Sequence, residues 1–218
     1  EEGYKELVLT GIEISSWGRD FQDGSSLIDL VEAVCGAAPE CRVRLGSLEP
    51  RTVTEEFCRR AARLPNLCPH FHLSMQSGCD ATLKRMNRKY GTARFFQSAG
   101  LLREHFQDPA ITTDMIVGFP GETEEEFEQS LDFIQRCGFS AMHIFPYSKR
   151  PGTPAASMPG QAPKAVKEER ARRAAEIASR MERNYLQQWE EVEVLFEEDR
   201  DGLWWGHPTR HSTVGVRS

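Results

Sequence analysis

The chain has 218 residues, 39% of them hydrophobic, which is enough for one substantial core and a small appendage. A formal net charge of −6 excludes a protein that grips nucleic acid by global charge alone, although a local basic face stays open. No apolar run approaches the roughly 20 residues that cross a bilayer, and Glu1-Glu2-Gly3-Tyr4-Lys5 has no signal character, so the expectation is a cytoplasmic protein with no membrane partner.

In chain order, Glu6 to Thr10 reads as a first strand, Gly11 to Gly18 as a loop and Leu27 to Val34 as a helix. Arg42 to Leu45 is a second strand, followed by the loop Gly46-Ser47-Leu48-Glu49-Pro50 and a helix that Thr54, Glu55 and Glu56 open with a cap and first-turn acids. Phe71 to Met75 is a third strand. The polar turn Gln76-Ser77-Gly78 and a helix carrying Leu83 and Met86 come next, with a second helix over Ala93 to Phe106. Ile111 to Val117 is the fourth strand, closed by Gly118-Phe119-Pro120-Gly121 and a helix opened by Thr123 and three acids; Ala141 to Phe145 is the fifth.

Strands alternating with helices in units of about 30 to 40 residues point to βαβ crossovers and a parallel sheet, in which ligands meet the carboxyl ends of the strands. Pro154, Pro159, Gly160 and Pro163 form a linker, and Lys164 to Gln188 is a long charged helix with Val166, Ala174, Ile177, Met181 and Tyr185 as its apolar stripe. Beyond Glu190, Val192 to Phe196, Leu203 to Trp205 and Thr213 to Val216 read as short strands of an incomplete β-domain. The linear division is therefore 1–163, 164–189 and 190–218. The six cysteines, Cys35, Cys41, Cys58, Cys68, Cys79 and Cys137, lack C-x-x-C and C-x-x-x-C-x-x-C spacing and read as reduced packing thiols, with no metal ligand among them.

Several segments together carry a resemblance. Thr10 to Gly18, Arg44 to Pro50, His72 to Arg88, Thr113 to Thr123 and Phe145 to Thr153 are, in order and spacing, similar to the radical-SAM methylthiotransferases. The match is nearest to the MtaB type, which modifies threonylcarbamoyl-adenosine beside the tRNA anticodon. The resemblance implies an α/β fold, a partial radical-SAM (β/α) barrel of parallel strands followed by a truncated TRAM-like small β-domain. It also implies S-adenosylmethionine and 4Fe-4S clusters as cofactors, and the tRNA anticodon loop and a reducing protein as partners. The family's N-terminal domain and cluster-binding cysteine loop would lie upstream of Glu1, so a fragment inactive by itself is expected. Relatives acting on isopentenyl-adenosine or on a ribosomal protein are the neighbouring alternatives. A non-catalytic α/β RNA-binding or scaffold protein is the alternative of a different class.

On this resemblance Glu13 is placed to meet the cofactor amino group, or else is a solvated loop acid. Ser47 and Glu49 offer hydrogen bonds to the cofactor or the substrate adenosine, in a segment that an ordinary turn before Pro50 also explains. Gln76 and Ser77 supply paired donors and acceptors with Gly78 allowing close approach, and Arg88 is a bidentate clamp for a carboxylate. Asp114, a charge inside an apolar strand, requires a partner or ligand. Gly118, Phe145 and Tyr147 are candidates to pack the adenine. Lys89, Lys149, Arg150 and Arg210 are the candidate RNA contacts, within a basic run Lys84, Arg85, Arg88 and Lys89 and a tail that also holds Trp204, Trp205 and His207. All of these fall near strand ends or in flanking loops, and Glu13, Ser47, Gln76 and Asp114 are expected to face one end.

Overall fold

Thr54 Oγ1 accepts from the Phe57 amide at 3.1 Å, and Thr123 exchanges bonds with Glu126 at 3.3 and 3.1 Å, so two anticipated helix starts are capped by the residues that signalled them. The structure, a computed structural model, describes residues 3–210 and 212–217. Its elements are β1 (Glu6–Leu9), α1 (Leu27–Ala37), β2 (Arg42–Leu45), α2 (Glu55–Ala61), β3 (His70–His72), α3 (Asp80–Arg85), α4 (Thr92–His105), β4 (Ala110–Val117), α5 (Glu124–Cys137), β5 (Ala141–Pro146), α6 (Pro154–Ser157), α7 (Lys164–Leu186), β6 (Val194–Arg200), β7 (Leu203–Pro208) and β8 (Val214–Arg217). The strand and helix alternation expected from the sequence is present, and the paired strands β1 with β2 and β4 with β5 are parallel.

The chain forms two compact units. One comprises Glu1–His72, Gly100–Ala110 and Trp189–Ser218. Within it β1 lies beside β2, Glu6 opposite Arg42 and Leu9 opposite Leu45, and Val43 bridges in parallel to Leu67. The Leu48 amide donates to the His72 carbonyl at 2.8 Å, tying the loop after β2 to β3. Val31, Val43, Leu48, Val53, Cys58 and Phe71 are fully buried there, the pattern of strands covered by helices. The tail is an antiparallel sheet in the order β6, β7, β8. It joins this unit through β2: Arg42 donates to the His207 carbonyl, and Arg44 to those of Pro208 and Thr209.

The other unit comprises Leu73–Ala99 and Ile111–Gln188. Its parallel pair is β4 with β5, Thr112 opposite Ala141 and Val117 opposite Pro146. The segment Leu73 to Gln76 runs along the other side of β4, with the Leu73 amide on Thr112 O and the Gln76 amide on Asp114 O, both at 2.9 Å. Met75, Leu83, Phe95, Met115, Phe127, Ile134 and Phe139 form its core. Helix α7 packs along β5.

Two sequence expectations change in detail. The third strand begins one residue early and its regular ladder stops at His72. From Leu73 onward the Thr113 hydroxyl substitutes for a main-chain group, donating to Leu73 O and accepting from the Met75 amide, and Gln76 turns out of line with φ of 69°. On α7 the buried positions are Arg170, Ala174 and Ala178, while Val166 is exposed, because the helix seats a buried ion pair where a simple apolar stripe was anticipated. By contact, α7 packs on β5 in one compact unit, and Trp189 onward groups with β1 and β2 in the other.

Candidate functional site

In the first unit, parallel pairing brings the loops after β1 and β2 to the same end of the sheet. Glu13 is exposed there and lines an open cleft of about 450 Å³ with Thr10, Ile12 and Trp17. Its backbone carbonyl caps the short turn that follows, accepting from the Ser16 amide and hydroxyl at 3.0 and 2.8 Å, which leaves the carboxylate pointing from a fixed backbone. Gly46 fits where a Cβ would stand 3.0 Å from Thr10 Oγ1, so the two loops touch closely. Ser47 is exposed beside it. Glu49 is committed differently: its amide donates to Ser15 Oγ at 2.9 Å, and its carboxylate takes Arg51 Nε at 2.6 Å. Arg210, half-buried in the same unit, pairs with Asp108 at 3.9 Å.

In the second unit, Gln76, Gly118 and Tyr147 gather at the carboxyl ends of neighbouring parallel strands. Ser77 does not face that end. It is fully buried, 3.3 Å from Ser130 Oγ on α5 and accepting from the Cys79 amide, so its hydroxyl serves the seam between loop and helix. Gly118 has φ of 69° and packs against the Lys167 stem of α7, a position closed to a side chain on both counts. Its amide donates to Glu122 Oε2 at 2.6 Å. Glu122 is in turn held by Arg170, and burial raises its carboxyl pKa despite the Gly118 bond and that guanidinium. The Lys167 ammonium donates to the Tyr147 carbonyl at 2.9 Å and lies over its ring. The strand ends are thus fixed from behind by α7, a role the sequence hid because Lys167 and Arg170 read as solvated charges.

Tyr147, 9% exposed, packs edge-on against Phe119 with 5.3 Å between ring centroids, and its hydroxyl is buried without a hydrogen-bond partner. An unsatisfied buried hydroxyl costs about 1–3 kcal/mol, so it marks a place for a polar ligand atom. Asp114 is half-buried and Phe145 half-exposed, on the open face of the sheet; Arg88, Lys89, Lys149 and Arg150 are exposed. Arg85 leaves the anticipated basic run, because Glu126 on α5 takes it in a bidentate pair. His143, which the sequence reading passed over, is exposed beside Phe145; its signal was the alternation of His143 and Phe145 on one strand face.

A family model described as Radical SAM superfamily matches residues 1–134. The chain belongs to the radical SAM superfamily. Relatives include the threonylcarbamoyladenosine tRNA methylthiotransferase MtaB of Thermotoga maritima, 45% identical over 169 residues, covering 78% of this chain and 38% of the relative. The MtaB of Bacillus subtilis is 40% identical over 200 residues, 91% of this chain and 44% of the relative. The tRNA-2-methylthio-N(6)-dimethylallyladenosine synthase of Moorella thermoacetica is 39% identical over 199 residues, 90% and 45%. The chain spans less than half the length of these curated relatives. Among solved structures, the radical SAM enzyme coproporphyrinogen III oxidase of Escherichia coli aligns with a TM-score of 0.58 at 13% identity, over 71% of this chain and 37% of that one, a likeness of fold.

Radical SAM proteins use S-adenosylmethionine and a 4Fe-4S cluster. Among the described residues no three His, Cys, Asp or Glu side chains converge to hold a metal ion. Five of the six cysteines are buried, and burial pushes the Cys68 thiol up to about 11, which keeps it a thiol. These cysteines do not fit a cluster. At the strand ends, the first unit exposes Ser47 and Glu13, and the second holds the buried Tyr147 hydroxyl.

Proposed function

We propose that the chain is core sequence of a radical-SAM tRNA methylthiotransferase that acts on threonylcarbamoyl-adenosine beside the anticodon, in the cytoplasm and with a reducing partner. The observation that carries this reading is the 45% identity over 169 residues to a relative of that name. Its geometric support is a set of polar groups at parallel strand ends in each unit, held from behind in the second by Glu122, Lys167 and Arg170. In the second unit Gln76, Gly118 and Tyr147 are assigned to the cofactor, and in the first Glu13 and Ser47 are the candidate ligand groups. Arg88 clamps its carboxylate or a phosphate, and Lys89, Lys149 and Arg150 meet phosphates. Glu49 and Ser77 serve the loops, on the contacts described above, and Arg210 is shared with Asp108.

Radical initiation is the chemistry that S-adenosylmethionine supplies when bound with a reduced cluster. This chain's strand-end residues would hold the cofactor by hydrogen bonds and packing. A second reading, methylthiolation of dimethylallyladenosine, is favoured by the 39% identity to the Moorella relative. The test is nucleoside mass spectrometry of tRNA from a strain lacking the gene, with and without the full-length protein. Restored methylthio-threonylcarbamoyl-adenosine supports the reading; a methylthio group on dimethylallyladenosine alone selects the second; unchanged tRNA sinks both.

A further inference from the structure

Aromatic pairs in the second unit's core meet edge to face, Phe95 with Phe133 at 68° and Phe95 with Phe139 at 67°. His143 and Phe145 differ. They alternate on one face of β5 with ring centroids 6.4 Å apart and planes inclined by only 35°, and both are exposed, Phe145 by 50%. On β4 their register partners are Asp114 and Ile116, half-buried, while the intervening Thr113, Met115 and Val117 are buried toward the core side. The sheet therefore has one packed face and one open face, and the open face carries two flat rings beside a carboxylate.

We propose that His143 and Phe145 form a stacking ledge for an unpaired nucleobase of the RNA substrate, with Lys149 and Arg150 on its flanking phosphates. The proposal rests on the tRNA-modifying reading and adds to it the protein surface that receives a base. Charge pattern favours RNA over a protein segment here: the ledge is followed within a few residues by two exposed cations, a pairing of π-surface and positive charge that suits single-stranded nucleic acid. The same pattern orients the ligand: the backbone lies toward Lys149 and Arg150 and the base over the two rings.

The experiment uses the full-length protein and an anticodon stem-loop RNA, with abasic ribose introduced at each loop position in turn. Phe145→Ala is expected to weaken intact RNA roughly tenfold or more without changing the salt slope, and Phe145→Trp to restore affinity. One abasic position should weaken the wild type and leave Phe145→Ala unaffected. Lys149→Gln with Arg150→Gln should flatten the salt slope for every RNA. Equal affinity of wild type and Phe145→Ala for intact RNA overturns the proposal. So does equal weakening on every abasic RNA, or lost S-adenosylmethionine binding with RNA affinity intact, which would assign the ledge to the cofactor's adenine. A fall in melting temperature without an RNA effect would instead mean that a protein segment covers it. A wild-type protein without affinity for any tRNA overturns both this proposal and the reading beneath it.

Discussion

Arg170 is buried on α7 with Ala174 and Ala178, and its guanidinium reaches inward to Glu122 Oε2 at 2.8 Å and to the Glu122 carbonyl at 3.1 Å. The two side chains are 6% and 0% exposed, so their separation from water makes the pair conditional: each ion is tolerable only with the other. Arg170→Met should destabilise the chain by about 3–5 kcal/mol in urea unfolding, because it strands a buried carboxylate. The loss should depend on pH. Burial already raises the Glu122 pKa, and without Arg170 it rises further. A carboxyl raised in the folded state keeps its stability below the unfolded value of about 4 and loses it as pH climbs toward the folded one, so the variant's deficit should widen from acid to neutral pH. The opposite sign holds for Asp29, whose pKa is lowered to about 2 chiefly by its hydrogen bond to Arg60, with Ser26 adding to it. Its stabilising contribution is complete above about 3.9 and disappears as pH falls through about 2. Arg60→Met should therefore shallow the acid-unfolding curve between those values; an unchanged curve would show the pair to be energetically silent.

At the scale of elements, Gly78 decides how the loop after β3 meets α5. A Cβ there would stand 2.8 Å from Ser130 Cα and 2.9 Å from Ser130 O, backbone contacts that no rotamer relieves. Gly78→Ala should cost about 1–3 kcal/mol through overpacking and displace Ser77 from Ser130, visible as faster amide exchange at Cys79. If Gly78→Ala melts with the wild type, the loop has slack that the close approach does not suggest. The strands and most helices were legible because local signals agreed with burial: Thr54 and Thr123 with the acids after them, and apolar runs such as Ile111 to Val117. What stayed hidden was long-range. The sequence gives no sign that the Thr113 hydroxyl replaces a ladder partner for Leu73 and Met75, that Glu126 removes Arg85 from a basic face, or that Arg170 is buried. Each depends on a partner about 40 or more residues away, which no local pattern encodes. Of the candidate site, the strand-end positions could be read from the sequence, but not the contacts of Ser77 with Ser130 or of Glu49 with Ser15 and Arg51.

At the scale of the whole molecule, the chain returns at Trp189 to the unit that begins it, and the antiparallel tail is held there by residues of the second strand. Arg44 is central to that hold. It is 4% exposed, bonds Glu6 through Nε and Nη2 at 2.7 and 3.0 Å, and donates to Thr209 O at 2.9 Å and Pro208 O at 3.2 Å. Arg42, two residues earlier and on the same strand face, adds Glu193 Oε1 at 2.7 Å and the His207 carbonyl at 3.3 Å. Burial opposes both charges of the Arg44 pair, but two carboxylate contacts and two carbonyl contacts satisfy most of the guanidinium's donors. Arg44→Met removes the two carbonyl contacts to the tail and leaves Glu6 without its ion partner. Hydrogen exchange should then accelerate roughly tenfold or more across β6 to β8, since each lost charge-assisted bond is worth about 1.5–3 kcal/mol and a tenfold change needs about 1.4. Amides of Ile111 to Val117, in the other unit, should keep their protection. Acceleration of both sets together would mean that the units unfold as one, and an unaltered tail would mean that β6, β7 and β8 hold themselves without β2.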